Sequence, residues 1–113
     1  MGATAGPGIT EKIREYSKSS PTAAVVFDAT ASEMTDEALT WITAYYDYEL
    51  RRTRQKLSAR RFSPGYGDFS LDNQKIMCET LQMSGLGVTL NGYYILVPEK
   101  SVTAIAGIQA IRG

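Results

Sequence analysis

The sequence contains no histidine. No Ser–His or Cys–His nucleophilic pair can form, and no imidazole can ligate zinc, iron or cobalt. Cys78 is the single cysteine, which excludes both an internal disulfide and a thiolate zinc cluster. A lone cysteine fits a reducing compartment, so the expected location is cytoplasmic. No apolar run reaches the length of a membrane span. The opening MGATAGPGITEK lacks the basic region and apolar core of a signal peptide. Excess charge is also lacking, because 12 basic residues balance 12 acidic ones. No global field draws the chain to nucleic acid or to a membrane, and neither is an expected partner. Chemistry falls to carboxylates, tyrosine, lysine, arginine or a bound cofactor. That inventory favours binding over self-contained catalysis, and no residue is assigned as catalytic or as a metal ligand.

What is present describes one domain over residues 1–113, with 43% hydrophobic and 21% charged residues. After a Gly6–Pro7–Gly8 turn, residues 9–18 read as a short helix with Ile9, Ile13 and Tyr16 on one face, ended by Pro21. Residues 22–29, TAAVVFDA, read as a strand buried on both faces. Residues 32–59 read as the longest helix, capped by Ser32, with Asp36 and Glu37 near its positive end and Arg51, Arg52 and Arg54 near its negative end. Tyr45, Tyr46 and Tyr48 on it read either as a stacking wall or, the expectation adopted here, as core edges.

A third helix is expected over residues 70–84, capped by Ser70, with Leu71, Ile76 or Met77, Leu81 and Met83 on its apolar side, and stopped by Gly85 and Gly87. Strands over 88–91 and 93–98 meet near Asn91–Gly92, a hairpin dipeptide. A fourth strand is expected over 101–111. The order gives an α+β fold, with helices packed on a mostly antiparallel sheet. A Gly/Ala-rich start leading into a helix suggests that a preceding strand is missing, and an exposed sheet edge left by it makes a homodimer possible.

The stretch ARRFSPGYGDFS, residues 59–70, concentrates the unusual chemistry. Pro64–Gly65 suits the central positions of a type II turn, where glycine supplies the positive φ. Arg61 offers a planar fork for a carboxylate. Tyr66 offers a ring face for a cation or an adenine. Together they suit a small zwitterion carrying an aromatic or cationic part. The same residues also suit a rigid connection whose arginine caps a helix. The basic cluster from Arg51 to Arg61 reads as a solvated helix end, with an RNA-binding face as the other reading. GLGVTL at Gly85 lacks the third glycine of a dinucleotide loop.

RRFSPGYGD, followed at a distance by GVTLNGYYILVPEKSVTAIAGI and preceded by GATAGPGITEKI, resembles the activation (reactivation) domain of cobalamin-dependent methionine synthase, in its short stand-alone form. The likeness spans nearly the whole chain and implies an activation-domain-like fold, N-terminally shortened. It implies binding of S-adenosylmethionine and a role in reductive methylation of cob(II)alamin. The cobalamin would be held by a partner, a methionine synthase or related corrinoid protein, with flavodoxin or another reductant supplying an electron. By motif, Arg61 corresponds to the ligand-binding arginine, Gly65 and Tyr66 to the family's Gly–Tyr, and Phe62, Ser63 and Pro64 to the wall between them. The family's N-terminal acidic contact has no counterpart here, and Gly92 stands where a glutamate is common. For a second acidic contact the long helix offers Glu37, Asp47 or Glu49. The reading from another class is an interaction module that keeps the fold without the ligand.

Overall fold

The computed structural model of the protein describes residues 1–111. The fold is α+β, as the order of elements predicts. Two helices follow the first six residues: α1, Pro7–Ser19, and α2, Pro21–Leu50. Only Ser20 separates them, and it serves both. Its N–H donates to Tyr16 O at 2.7 Å, closing α1, and its hydroxyl accepts from Ala23 N at 3.4 Å, opening α2. Pro21 does end the first helix, but it also begins the second. A first-turn proline has no intrahelical hydrogen bond to lose and its φ is already helical.

That junction corrects the strand expected over residues 22–29, which lie inside α2. A strand buried on both faces needs Val25 and Val26 inside, yet they are 68% and 59% exposed. The helical spacing Ala24–Phe27–Ala31 wins instead. Ala24 and Ala31 are buried, and Phe27 stacks on Tyr16 of α1 with ring centroids 5.2 Å apart. Tertiary packing of this face outweighs the fractions of a kcal/mol by which valine disfavours a helix. Ser32 is accordingly an interior residue, not a cap. The helix also ends earlier than expected. Arg51–Thr53 form a 3-10 turn, Arg54 is left-handed at φ 55°, and Gln55–Leu57 form a strand, β2. The Asp47 carboxylate accepts from Leu57 N at 2.7 Å and ties this strand back to α2.

The remaining elements are short. Asn73–Leu81 form α3, entered through a turn in which Ser70 O accepts from Asn73 N, so the cap expected at Ser70 lies outside the helix. Gln82, left-handed at φ 53°, ends α3 before the glycines are reached. Thr89–Leu90 (β3) pair antiparallel with Leu96–Val97 (β4), so the strands expected over 88–91 and 93–98 shorten to two residues each. Residues 91–95 form the connection, in which Asn91 Oδ1 accepts from Tyr93 N at 2.8 Å and Ile95 N at 3.1 Å and Tyr94, not Gly92, is left-handed. The strand expected over 101–111 is two strands, Ser101–Thr103 (β5) and Ile108–Ala110 (β6).

Gly2–Thr4 form a strand, β1, where none was expected, and it pairs antiparallel with β5. β2 pairs antiparallel with β6. The antiparallel pairing is as expected, but it is divided among three two-stranded ladders. The core cluster is Met83, Val88 and Leu96, packed by Cys78, Leu81 and Leu90. Of the alternatives on α3, Met77 is the half-buried one and Ile76 is exposed. Tyr45, Tyr46 and Tyr48 are more than half exposed and are not core edges, because among the described residues no element covers that face of α2. Among the described residues no helix is long and apolar enough to cross a membrane.

Two polar contacts join the layers. Lys100 Nζ reaches Asp28 Oδ1 at 2.7 Å and Ser32 Oγ at 3.1 Å, fixing the start of β5 to α2. Thr103 Oγ1 donates to Gln74 Oε1, both residues being buried. Thr103→Val keeps the shape and strands the Gln74 acceptor, so it should lower stability by about 1–3 kcal/mol. A shift of the urea midpoint without a change in slope measures this.

Candidate functional site

The ARRFSPGYGDFS segment leaves β2 and runs antiparallel to the C-terminal strands before it turns. Ser58 N donates to Gly107 O at 2.7 Å, and Phe62 and Ile105 exchange two backbone hydrogen bonds, at 2.9 and 2.8 Å. This pairing places Arg61 over α2. The chain then reverses at Ser63–Tyr66, where Tyr66 N donates to Ser63 O at 3.2 Å and Gly65 sits at φ 95°, as the Pro–Gly turn predicts. Gly65 N donates to Phe69 O at 2.8 Å and Phe69 N to Tyr66 O at 3.1 Å, so the loop is braced from within.

A cleft of about 320 Å³ opens at this turn. Arg61, Phe62, Ser63 and Tyr66 of the turn line it together with Asp36 and Leu39 of α2 and Val102 and Ala104 at β5. Leu39 and Ala104 are buried, while the Tyr66 ring is 73% exposed. Pro64 is buried behind the turn. With Gly65 it shapes the wall and does not line the cleft.

The electrostatics depend on what Arg61 lacks. Its Nη1 donates to the hydroxyls of Thr40 at 3.3 Å and Thr43 at 3.5 Å, one turn apart on α2. Among the described residues neither Arg61 nor Asp36 takes part in an ion pair. The guanidinium is aimed by two neutral acceptors and keeps its charge for something else, and the carboxylate in the same cleft does the same. Opposite charges on one cleft, with a tyrosine ring beside them, are the chemistry that a group carrying both carboxylate and ammonium would need.

Asp36 is the residue that sequence reasoning missed. Of the three acidic candidates, Asp47 is occupied by Leu57 N, Glu37 lines a groove on another face, and Glu49 does not reach the cleft. Helical phase carries the missing signal. Asp36, Thr40 and Thr43 recur at four and three and share one face of α2.

Another cleft, of about 270 Å³, lies between α1 and the β4 region with Arg14, Glu11 and Glu99 on its walls, but it has no aromatic ring. Burial, and then the Glu79 carboxylate, push the Cys78 thiol up from its usual range, which disfavours the thiolate at neutral pH. No protein-family model matches the chain, and none of the curated proteins matches it significantly.

A Cβ added at Gly65 would stand 3.1 Å from Leu71 Cδ1 at a φ that L-residues rarely adopt, whereas one at Gly85 meets nothing within 4 Å. Gly65→Ala should therefore cost about 1–3 kcal/mol in a thermal or urea melt, and Gly85→Ala should leave stability nearly unchanged. Cys78 should alkylate more slowly at pH 7.5 than a free thiol, its rate still climbing with pH above the ordinary thiol range; competition with glutathione for iodoacetamide measures this.

Proposed function

We propose that the chain is a reactivation-type module that binds S-adenosylmethionine at the Arg61–Tyr66 turn and presents it to a corrinoid protein, a cobalamin-dependent methionine synthase or a relative. One observation carries this reading. An unpaired guanidinium and an unpaired carboxylate face one cleft, beside an exposed tyrosine ring, in the loop whose residues resemble the activation-domain motif. The methionyl carboxylate goes to Arg61, and the methionyl ammonium goes to Asp36 in place of the acidic contacts that the family pattern lacks here. Tyr66 lies against the sulfonium and adenosyl part by cation–π and stacking contact. Its exposure leaves the methyl group facing outward, where a partner docks. The bound sulfonium would supply the methyl group and leave as S-adenosylhomocysteine, and the partner's cob(II)alamin, given one electron by flavodoxin or another donor, would accept it. Phe62 and the Pro64–Gly65 backbone hold the wall. This chain's residues bind and orient the donor and leave the chemistry to the partner.

The other reading, an interaction module that retains the fold without the ligand, draws support from the large exposed aromatic face of α2. Ligand binding separates the two. Isothermal titration of S-adenosylmethionine, with S-adenosylhomocysteine alongside, should give saturable one-site binding. Arg61→Ala should remove it, and Asp36→Asn should weaken it about 10- to 100-fold, the loss expected for one charge-assisted contact. Both variants should melt as the parent does, because the Arg61 hydrogen bonds are long. Absence of heat and of thermal shift at millimolar ligand, or equal binding by parent and Arg61→Ala, overturns the reading.

A further inference from the structure

α2 carries a seam that the fold uses for only half its length. Ala24, Phe27 and Ala31 recur at three and four residues, and Met34, Ala38, Trp41, Tyr45 and Tyr48 continue the same alternation. This is a heptad pattern, with apolar or aromatic residues at every a and d position. α1 covers the first part, where Ala24 and Ala31 are buried and Phe27 stacks on Tyr16. With 13 residues, α1 is about 20 Å long, and from the Ser20 reversal it reaches roughly as far as residue 33 of α2. Beyond that point the seam is bare. Met34, Trp41, Tyr45 and Tyr48 are 60%, 69%, 51% and 63% exposed. Trp41 and Tyr45 stack on each other with centroids 6.0 Å apart, forming a continuous aromatic surface.

We propose that this bare half-seam binds a second copy of the same chain, α2 against α2, antiparallel about a two-fold axis near residue 43. Three observations select that occupant. The first is charge. Thr30, Glu33, Met34 and Glu37 border the groove at one end, and Arg51 and Arg52, in the 3-10 turn that follows α2, stand exposed at the other. Antiparallel pairing brings Glu37 beside the partner's Arg51 and Glu33 beside the partner's Arg52, each twice by symmetry. Parallel pairing would set like charges together.

The second is shape. The same register places Trp41 against the partner's Tyr45 and Ala38 against the partner's Tyr48, large against small in the latter layer. Met34 lies along the aliphatic stem of the partner's Arg52. The third is length. The partner's helix ends about where α1 begins to cover the seam, so the two meet end to end and continue an interface the fold already uses. Aromatic side chains of this size carry about 150–250 Å² each. The three exposed ones, Trp41, Tyr45 and Tyr48, together with Met34, therefore offer on the order of 500 Å² per copy before their flanks are added, against the roughly 800 Å² per partner of a standard interface. Successive helix residues advance about 100°, which sets this seam roughly opposite Asp36 and Thr43. The dimer leaves the Arg61 cleft open, and the proposal does not depend on what that cleft binds.

Sedimentation velocity across the micromolar range should show a reversible monomer–dimer equilibrium. Trp41, the sole tryptophan, should emit at shorter wavelength as the dimer forms. Glu37→Arg and Arg51→Glu, each alone, should raise the dimer dissociation constant about tenfold or more, and the double exchange should restore it. Trp41→Ser should abolish the dimer while leaving the far-ultraviolet dichroism of the monomer unchanged. A chain that stays monomeric at every concentration overturns the proposal, as does one that binds only some other protein through this face. So does a dimer indifferent to these substitutions.

Discussion

The 30 residues of α2 run without interruption, a span of about 45 Å in a molecule measuring 57 × 28 × 27 Å. α1, β1, β2 and β5 pack directly on this helix, and the remaining elements are built onto them. α1 folds back along its first half, Lys100 fastens the start of β5 to Asp28 and Ser32, and Asp47 fastens β2 near its end. A chain of this length cannot wrap so long a rod. The tight core of Met83, Val88 and Leu96 gathers away from α2, and one face of the helix is left to solvent or to another molecule. Elongation, a small core and an aromatic surface are one consequence of one uninterrupted helix.

The candidate site depends on the same helix in a different way. α2 supplies Asp36 and the two threonine hydroxyls that aim Arg61, while the antiparallel run beside residues 105–107 fixes where the arginine enters. Neutral acceptors matter here. A carboxylate in place of Thr40 or Thr43 would hold the guanidinium more tightly and quench it. Hydroxyls orient the side chain at small cost in available charge, which suits a group that has to accept a carboxylate from elsewhere.

Turn chemistry was the most legible part of the sequence. Pro64–Gly65 specifies its geometry locally, because few residues tolerate the positive φ its second central position needs. Asn91–Gly92 marks the place of a turn but not its form, since the left-handed residue there is Tyr94 at φ 62°. The α+β class and the antiparallel pairing were legible from the order of periodic segments. Residues 22–29 were not, since a valine-rich run after a proline satisfies a strand template and a first-turn helix template alike, and only Tyr16 against Phe27 decides between them. β1 was illegible because three small residues carry no periodic signal, and their pairing with Ser101–Thr103 is non-local. Asp36 was passed over for Glu37 because adjacent helical positions point about 100° apart, and the phase of α2 became fixed only once Leu39 and Thr35 were seen to be inside.

The cleft's walls come from residues 36–39, 61–66 and 102–104, segments far apart in the chain. No fragment contains it, and no local opening of a wall leaves it standing. Whatever occupies it is therefore linked to the cooperative fold as a whole. A ligand present at a hundred times its dissociation constant adds about 2.7 kcal/mol to the stability of every element at once. Conversely, loss of the β1–β5 pairing would take Val102 and Ala104 out of the cleft's lining while α1 and α2 could remain helical, so the cleft is tied to that half-buried ladder in particular.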